Sequence, residues 1–268
     1  MIRSDSLNYR SLLFIPAIEK YLTKTEPVLS DAIIFDLEDS IPEDQKLLAL
    51  QMLTTYLKQH TVKNDIFVRV NHHSANNEIS AICQEDIQGF VIPKVESSSD
   101  IRKFETIIND KTVIALIESP MGIVNLREIA ACSIVHALAF GAEDYRSYYN
   151  HDIGECGLMY AKSKLTTLAN AYNKPVFDSI SLEYKDMESL GAEVQNSILY
   201  GFSGKLAIHP NQIDVINKMF SEVDYEHYEY IVRQFEAANQ GLLVLDGQVY
   251  EKPHIDMYKR RLEQKKHL

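Results

Sequence analysis

Eight short apolar, β-branched runs recur along the chain, and most are separated by stretches with helical spacing. They are SLLFIP (11–16), AIIFD (32–36), DIFVRV (65–70), GFVIP (89–93), TVIALIE (112–118), HALAFG (136–141), KPVFD (174–178) and a last run over 204–208. Continuous apolar runs of this length suit strands buried on both faces, as in a parallel sheet whose crossovers are helices. Eight such units within about 210 residues predict a (β/α)8 barrel of the TIM type. The rival is an open doubly wound sheet, which more often has five to seven strands and a glycine-rich first turn; neither GxGxxG nor GxxxxGK[ST] occurs. Helical patterns fall at 19–29, 43–57, 121–131 and 159–172. After Met219 the pattern changes to a Tyr- and Glu-rich helix (224–239), a hairpin-like GLLVLDGQVY and a basic helix (255–266). The expected organisation is a barrel over 1–222 and a C-terminal extension over 223–268 that packs on the barrel or on a neighbouring subunit.

Composition narrows the function classes. With 46% hydrophobic and 24% charged residues the chain reads as globular rather than disordered or fibrous. A net charge of −11 argues against nucleic acid as a partner, whose phosphates call for a basic face. The start, MIRSDSLNYR, lacks the apolar run of a signal peptide, and no run of about 18 apolar residues is present, so no membrane partner is expected and the cytoplasm is the expected location. Cys83, Cys132 and Cys156 form no CxxC and fit a reducing compartment.

In a barrel, the C-terminal ends of the strands face the active site, so polar residues there carry information. The second run leads to Asp36, Glu38 and Asp39, the third to Arg69 and Asn71, the fourth to Lys94 and Glu96. The fifth ends in Glu118, the sixth reaches Glu143 and Asp144, and the eighth reaches His209. Carboxylates converging in one cleft repel one another unless a cation neutralises them. With oxygen ligands and no Cys or His at zinc spacing, the ion expected is Mg2+ or Mn2+. Acidic residues after strands also cap helices, and Asp39 before Ser-Ile-Pro reads as such a cap. Asp144 stands out because GAED leads into no evident helix. Arg69 within a strand calls for a buried partner or a role in the site. His72 and His73 read as solvated, and His209 as either a structural imidazole or a substrate contact.

The strand-end motifs, in order, are RSLLFIP, DAIIFDLEDS, FVRVN, GFVIPKVES, ALIESPMGIVNLREIA, LAFGAEDY, GFSGKLAIHPNQIDVIN and LDGQVYEKPH. Together they resemble the citrate lyase β-subunit-like branch of the HpcH/HpaI aldolase family, from residue 10 to about 260. That resemblance implies a TIM barrel, trimeric or hexameric, that makes or breaks a C–C bond beside an acyl-CoA thioester. It implies Glu118 and Asp144 as Mg2+ ligands, Glu118 also touching substrate, and Arg69 as the arginine that holds the substrate carbonyl. Phe14, Lys20 and Lys24 fall near positions where relatives contact CoA, and Ile208 and His209 lie on a further substrate-contacting segment. Glu38 and Asp39 match the acidic LED motif that lines the site. The C-terminal DGxxID segment of relatives carries an acid/base Asp used by a neighbouring subunit, and Glu251 stands there in this chain. Relatives have Gly after the first-strand proline; here Ala17 follows Pro16.

The function these residues suggest is Mg2+-dependent cleavage of a 3-hydroxyacyl-CoA thioester of the citryl-, malyl- or citramalyl-CoA type, giving acetyl-CoA and a 2-oxo acid. Three alternatives stand beside it: a Schiff-base aldolase using Lys94, a β subunit that takes its substrate on an acyl carrier within a complex, and a non-catalytic barrel with a binding role.

Overall fold

The computed structural model describes residues 7–23, 28–222, 225–238 and 241–265. Eight parallel strands close on themselves in sequence order: β1 (Ser11–Pro16), β2 (Ala32–Asp36), β3 (Asp65–Arg69), β4 (Gly89–Ile92), β5 (Thr112–Ile117), β6 (Ala137–Phe140), β7 (Val176–Asp178) and β8 (Gly204–Ala207). Helices follow the strands, as a parallel barrel requires, and the fold is a (β/α)8 TIM barrel.

Strand alternation divides the core in two. Leu12, Ile34, Phe67, Leu116, Ala139 and Leu206 belong to a cluster drawn from all eight strands that fills the lumen. Alanines at 32, 137 and 139 make room there for Phe67 and Phe177. The opposite parity, including Phe35, Val68, Phe90, Ile117 and Phe140, packs outward against the helices. Phe35, Phe67, Phe90, Phe104, Phe140 and Phe177 are fully buried, each stabilising the fold by about 1.5–3 kcal/mol.

Several boundaries differ from those the sequence predicts. β7 begins at Val176 because Pro175 has no N–H for the ladder; its carbonyl accepts from Leu138 instead. The pattern over 121–131 is two helices, Pro120–Val124 and Leu126–Ala131, broken at Asn125, whose side-chain amide donates to the Glu96 carbonyl. GAED does lead into a helix, Ala142–Ser147, with Asp144 in its first turn. Its apolar positions are too few to give a period in the sequence. Of the expected 19–29 helix, Glu19–Leu22 is helical and 24–27 lie outside the described residues.

The chain separates into two compact units between Phe220 and Ser221. The second comprises a helix (Tyr225–Ala238), the antiparallel hairpin β9 (Leu242–Leu245) and β10 (Gln248–Glu251), and a helix (Lys252–Lys265). Its own small core holds Ile231, Val232, Tyr250 and Ile255. Among the described residues no helix is long and apolar enough to cross a membrane.

Between the strands and the outer helices lies a buried ion cluster. Asp178 Oδ2 accepts from Ser197 Oγ at 2.5 Å and stands 3.4 Å from Lys162 Nζ and 3.6 Å from Lys205 Nζ. Lys205 Nζ also donates to the Ser179 carbonyl at 2.7 Å. Burial alone would raise the Asp178 pKa, but the two lysines outweigh it and hold the group below the ordinary 3.8. A carboxylate whose folded pKa is depressed contributes stability that is complete above its unfolded value and is lost as pH falls through the folded one. Asp178→Asn leaves two buried ammonium groups undercompensated, a loss of about 3–5 kcal/mol. We expect thermal unfolding at pH 7 to drop by on the order of 10 °C in this variant. The gap from wild type should narrow as the melts are repeated below pH 4.

Candidate active site

The lumen parity dictates which strand-end side chains meet at the barrel mouth. Two positions beyond the lumen residues, the same face is reached by Phe14, Asp36, Arg69, Glu118, Gly141 and Ile208. All six, with Asp39 and Asp144, line one cavity of about 440 Å3. Leu116, Ile180 and Leu206 give that cavity an apolar wall.

Arg69 is the centre of the charged side. It ends β3 in register with Asp36, which ends β2. The pair is bidentate, Nε to Oδ1 at 2.6 Å and Nη2 to Oδ2 at 2.8 Å. Nη1 donates to Asp39 Oδ2 at 2.9 Å and lies 3.4 Å from Glu38 Oε2, while the Phe14 ring centre sits 4.8 Å from the guanidinium carbon. Backbone N–H groups of Glu38 and Ser40 donate to the same Asp36 carboxylate. Burial works against both charges. The guanidinium nevertheless holds Asp36 below the usual carboxylate range, and the surrounding carboxylates hold Arg69 above its ordinary value. Asp36, which the sequence places at a strand end without a role, takes one here from its register with Arg69. Asp39 is no helix cap: its carboxylate turns back to Arg69, and a 3-10 turn, Glu43–Gln45, opens the next helix.

Glu38 and Glu118 are both buried. Neither carboxylate oxygen of Glu38 has a hydrogen-bond donor among the described residues; the nearest cations are Arg69 Nη1 and, at 3.5 Å, Lys94 Nζ. Burial, against the pull of Arg69, raises its pKa to about 7. Glu118 Oε1 accepts the Lys94 backbone N–H at 2.7 Å. Burial and then the charge of Asp144 push it up to about 8. Asp144, half-buried, is raised by burial and by Asp39. Gly141 makes room for this arrangement, since a Cβ there would lie 2.6 Å from both Glu118 Cβ and Oε2.

The remaining candidates lie on separate elements. Lys20 is exposed on the short helix after β1, and Lys24 lies outside the described residues. Ile208 is 39% exposed at the cavity rim. His209 caps the following turn by accepting the Asn211 N–H, with its ring 5.0 Å from that of Tyr184. Glu251 ends β10 in the second unit, exposed, its N–H donating to His254 Nδ1 at 3.1 Å.

This donor set fits a hard divalent cation. Two desolvated carboxylates, Glu118 and Asp144, repel one another, and the neighbouring Glu38 carboxylate lacks donors. Among the described residues no three Asp, Glu, His or Cys side chains form a complete ligand set, so substrate and water would fill the other positions, as Mg2+ commonly allows.

A (β/α)8 barrel whose strand ends gather carboxylates around one clamped arginine is an enzyme-like scaffold with its site at the usual face. The sequence model of the HpcH/HpaI aldolase/citrate lyase family matches residues 10–210, and the chain belongs to that family. It is 31% identical over 261 residues to a (3S)-malyl-CoA thioesterase of Cereibacter sphaeroides, covering 92% of this chain and 91% of the relative. It is 28% identical to the citrate lyase subunit beta of Leuconostoc mesenteroides, over 91% of this chain and 89% of that one. The citrate lyase beta subunit of Mycobacterium tuberculosis, solved with oxaloacetate and magnesium, superposes with a TM-score of 0.66 at 26% identity, over 79% of this chain and 96% of that one.

Gly141→Ala tests the packing beneath the carboxylates. We expect a loss of about 1–3 kcal/mol in unfolding free energy. A crystal structure of the variant should show the Glu118 carboxylate displaced from the Lys94 N–H.

Proposed function

We propose that the chain is a Mg2+-dependent carbon–carbon lyase acting on a 3-hydroxyacyl-CoA thioester, releasing acetyl-CoA and a 2-oxo acid. The observation that carries this reading is the meeting of Glu118, Asp144 and the Asp36-clamped Arg69 in one cavity. A relative of this family was solved with oxaloacetate and magnesium, and relatives named for malyl-CoA and citrate point to the same substrate class.

Glu118 and Asp144 would hold the metal, which when bound supplies a Lewis acid for the substrate's carboxylate and hydroxyl oxygens. Glu38 and Asp39, both beside the Arg69 guanidinium, are assigned the removal of the hydroxyl proton. As the C–C bond breaks, its electron pair moves onto the thioester as an enolate. Asp36 and Asp39 occupy three of the five N–H groups of Arg69, leaving two to stabilise the enolate oxygen. Because Arg69 is already fixed, little reorganisation accompanies that step. Glu251, at the position of the family's acid/base aspartate, is assigned the proton that completes acetyl-CoA. Phe14, Lys20, Lys24, Ile208 and His209 are assigned to binding the thioester, and a homotrimer or homohexamer is the assembly that accompanies this reading.

A substrate carried on an acyl carrier is the second reading, favoured by the likeness to a citrate lyase beta subunit. A Schiff base at Lys94 fits less well. Burial alone would lower its pKa, but Glu38 and the other carboxylates hold the ammonium above the ordinary lysine range.

Citryl-, malyl- and citramalyl-CoA, each with Mg2+ and again with EDTA, test the proposal by product analysis. We expect Mg2+-dependent acetyl-CoA from one of them, and a rate at least 10²-fold lower in Glu118→Ala. Release of free CoA with the hydroxy acid intact would make the chain a thioesterase instead. Turnover of carrier-bound substrate alone would favour the second reading. Glu251→Gln should lower kcat at least tenfold while leaving Mg2+ affinity unchanged in calorimetry.

A further inference from the structure

Lys94 occupies a position that the proposed mechanism does not use. It follows Pro93 at the end of β4 with φ at +54°, the left-handed region that L-residues other than Asn and Asp seldom enter. Its backbone N–H holds Glu118, but that hydrogen bond needs no side chain, and glycine would adopt this conformation more readily. What lysine adds at this strained position is an ammonium beside the carboxylates of Glu38, Asp39, Glu118 and Asp144.

That ammonium is 3.5 Å from Glu38 Oε1, beyond hydrogen-bond length, and its side chain is 45% exposed where that of Glu38 is 4%. Among the described residues Glu38 is its one ion-pair partner, and its three N–H donors make no hydrogen bond there. Arg69, which lines the cavity, gives three of its five N–H groups to Asp36 and Asp39. With the two remaining N–H groups of Arg69 given to the enolate oxygen, Lys94 is the cation beside the site whose donors the mechanism leaves unassigned.

We propose that Lys94 is a substrate-binding residue whose ammonium takes a carboxylate of the 2-oxo acid portion of the substrate. The inference rests on the lyase reading and goes beyond it by assigning the group that recognises the acid. A lysine suits this task as a compact point charge on a flexible stem, free to follow its partner. One carboxylate is shared by every 2-oxo acid product, whereas oxaloacetate carries a second.

Calorimetric titration of the Mg2+-loaded full chain with pyruvate and with oxaloacetate tests this without turnover. Lys94→Met should weaken binding at least tenfold, and Lys94→Arg should stay within about threefold of wild type. Loss for both acids assigns Lys94 to the carboxylate they share, and loss for oxaloacetate alone assigns it to the second. Lys94→Gly keeps the amide on Glu118 and relieves the backbone, so it should melt no lower than wild type yet bind as weakly as Lys94→Met. Mg2+ affinity measured without organic acid should not fall in either variant. Wild-type affinity for both acids in Lys94→Met and Lys94→Gly would overturn the proposal. So would an equal loss of Mg2+ affinity, which would make Lys94 a support for Glu118 alone. If wild-type protein with Mg2+ bound neither acid, the lyase reading itself would fall, and this inference with it.

Discussion

The bidentate contact between Arg69 and Asp36 is the interaction around which the barrel mouth is arranged. A guanidinium this buried needs a counter-charge, and Asp36 supplies one from the neighbouring strand at the same level. That commitment spreads outward. Asp36 also gathers the N–H groups of Glu38 and Ser40, which fixes the turn after β2 and sets Glu38 beside the guanidinium. Asp39 closes on the third edge of Arg69 and Phe14 covers its face. Residues from three strands and the loop after β2 thus meet around one ion pair, and that pair depends on the register of β2 against β3. A slip of one residue would put the two charges on opposite faces of the sheet.

Much of the fold was written in plain hydrophobic runs. β1 and β2 begin and end where those runs do, since both faces of each strand are buried and nothing polar interrupts them. β7 was overdrawn because an apolar reading cannot weigh the missing N–H of Pro175. The helix carrying Asp144 was invisible because six residues are too short for a period.

The site was legible in the residue types and less so in their connections. Arg69, Glu118 and Asp144 announced themselves as polar groups at strand ends, and lumen parity brings them into one cavity. Asp36 shared that signal, but its role appears only once the strands are paired. Lys94 was readable as a strand-end lysine; its left-handed backbone was not, because no glycine or asparagine marks it. Gly141 was equally silent, since the need for a missing Cβ arises from a neighbour twenty-three positions away in sequence.

The brevity of β7 has a consequence for how the barrel is fastened. β2 meets its neighbours through five register pairs on each side, whereas β7 is joined to β6 and to β8 by two apiece. The chain has placed the Asp178–Lys162–Lys205 cluster at that thin seam, so salt links stand where ladder hydrogen bonds are few. The barrel is a hoop with a clasp between β7 and β8. Local opening, by hydrogen exchange for instance, would start at the clasp while the strands that carry Asp36 and Arg69 stay closed.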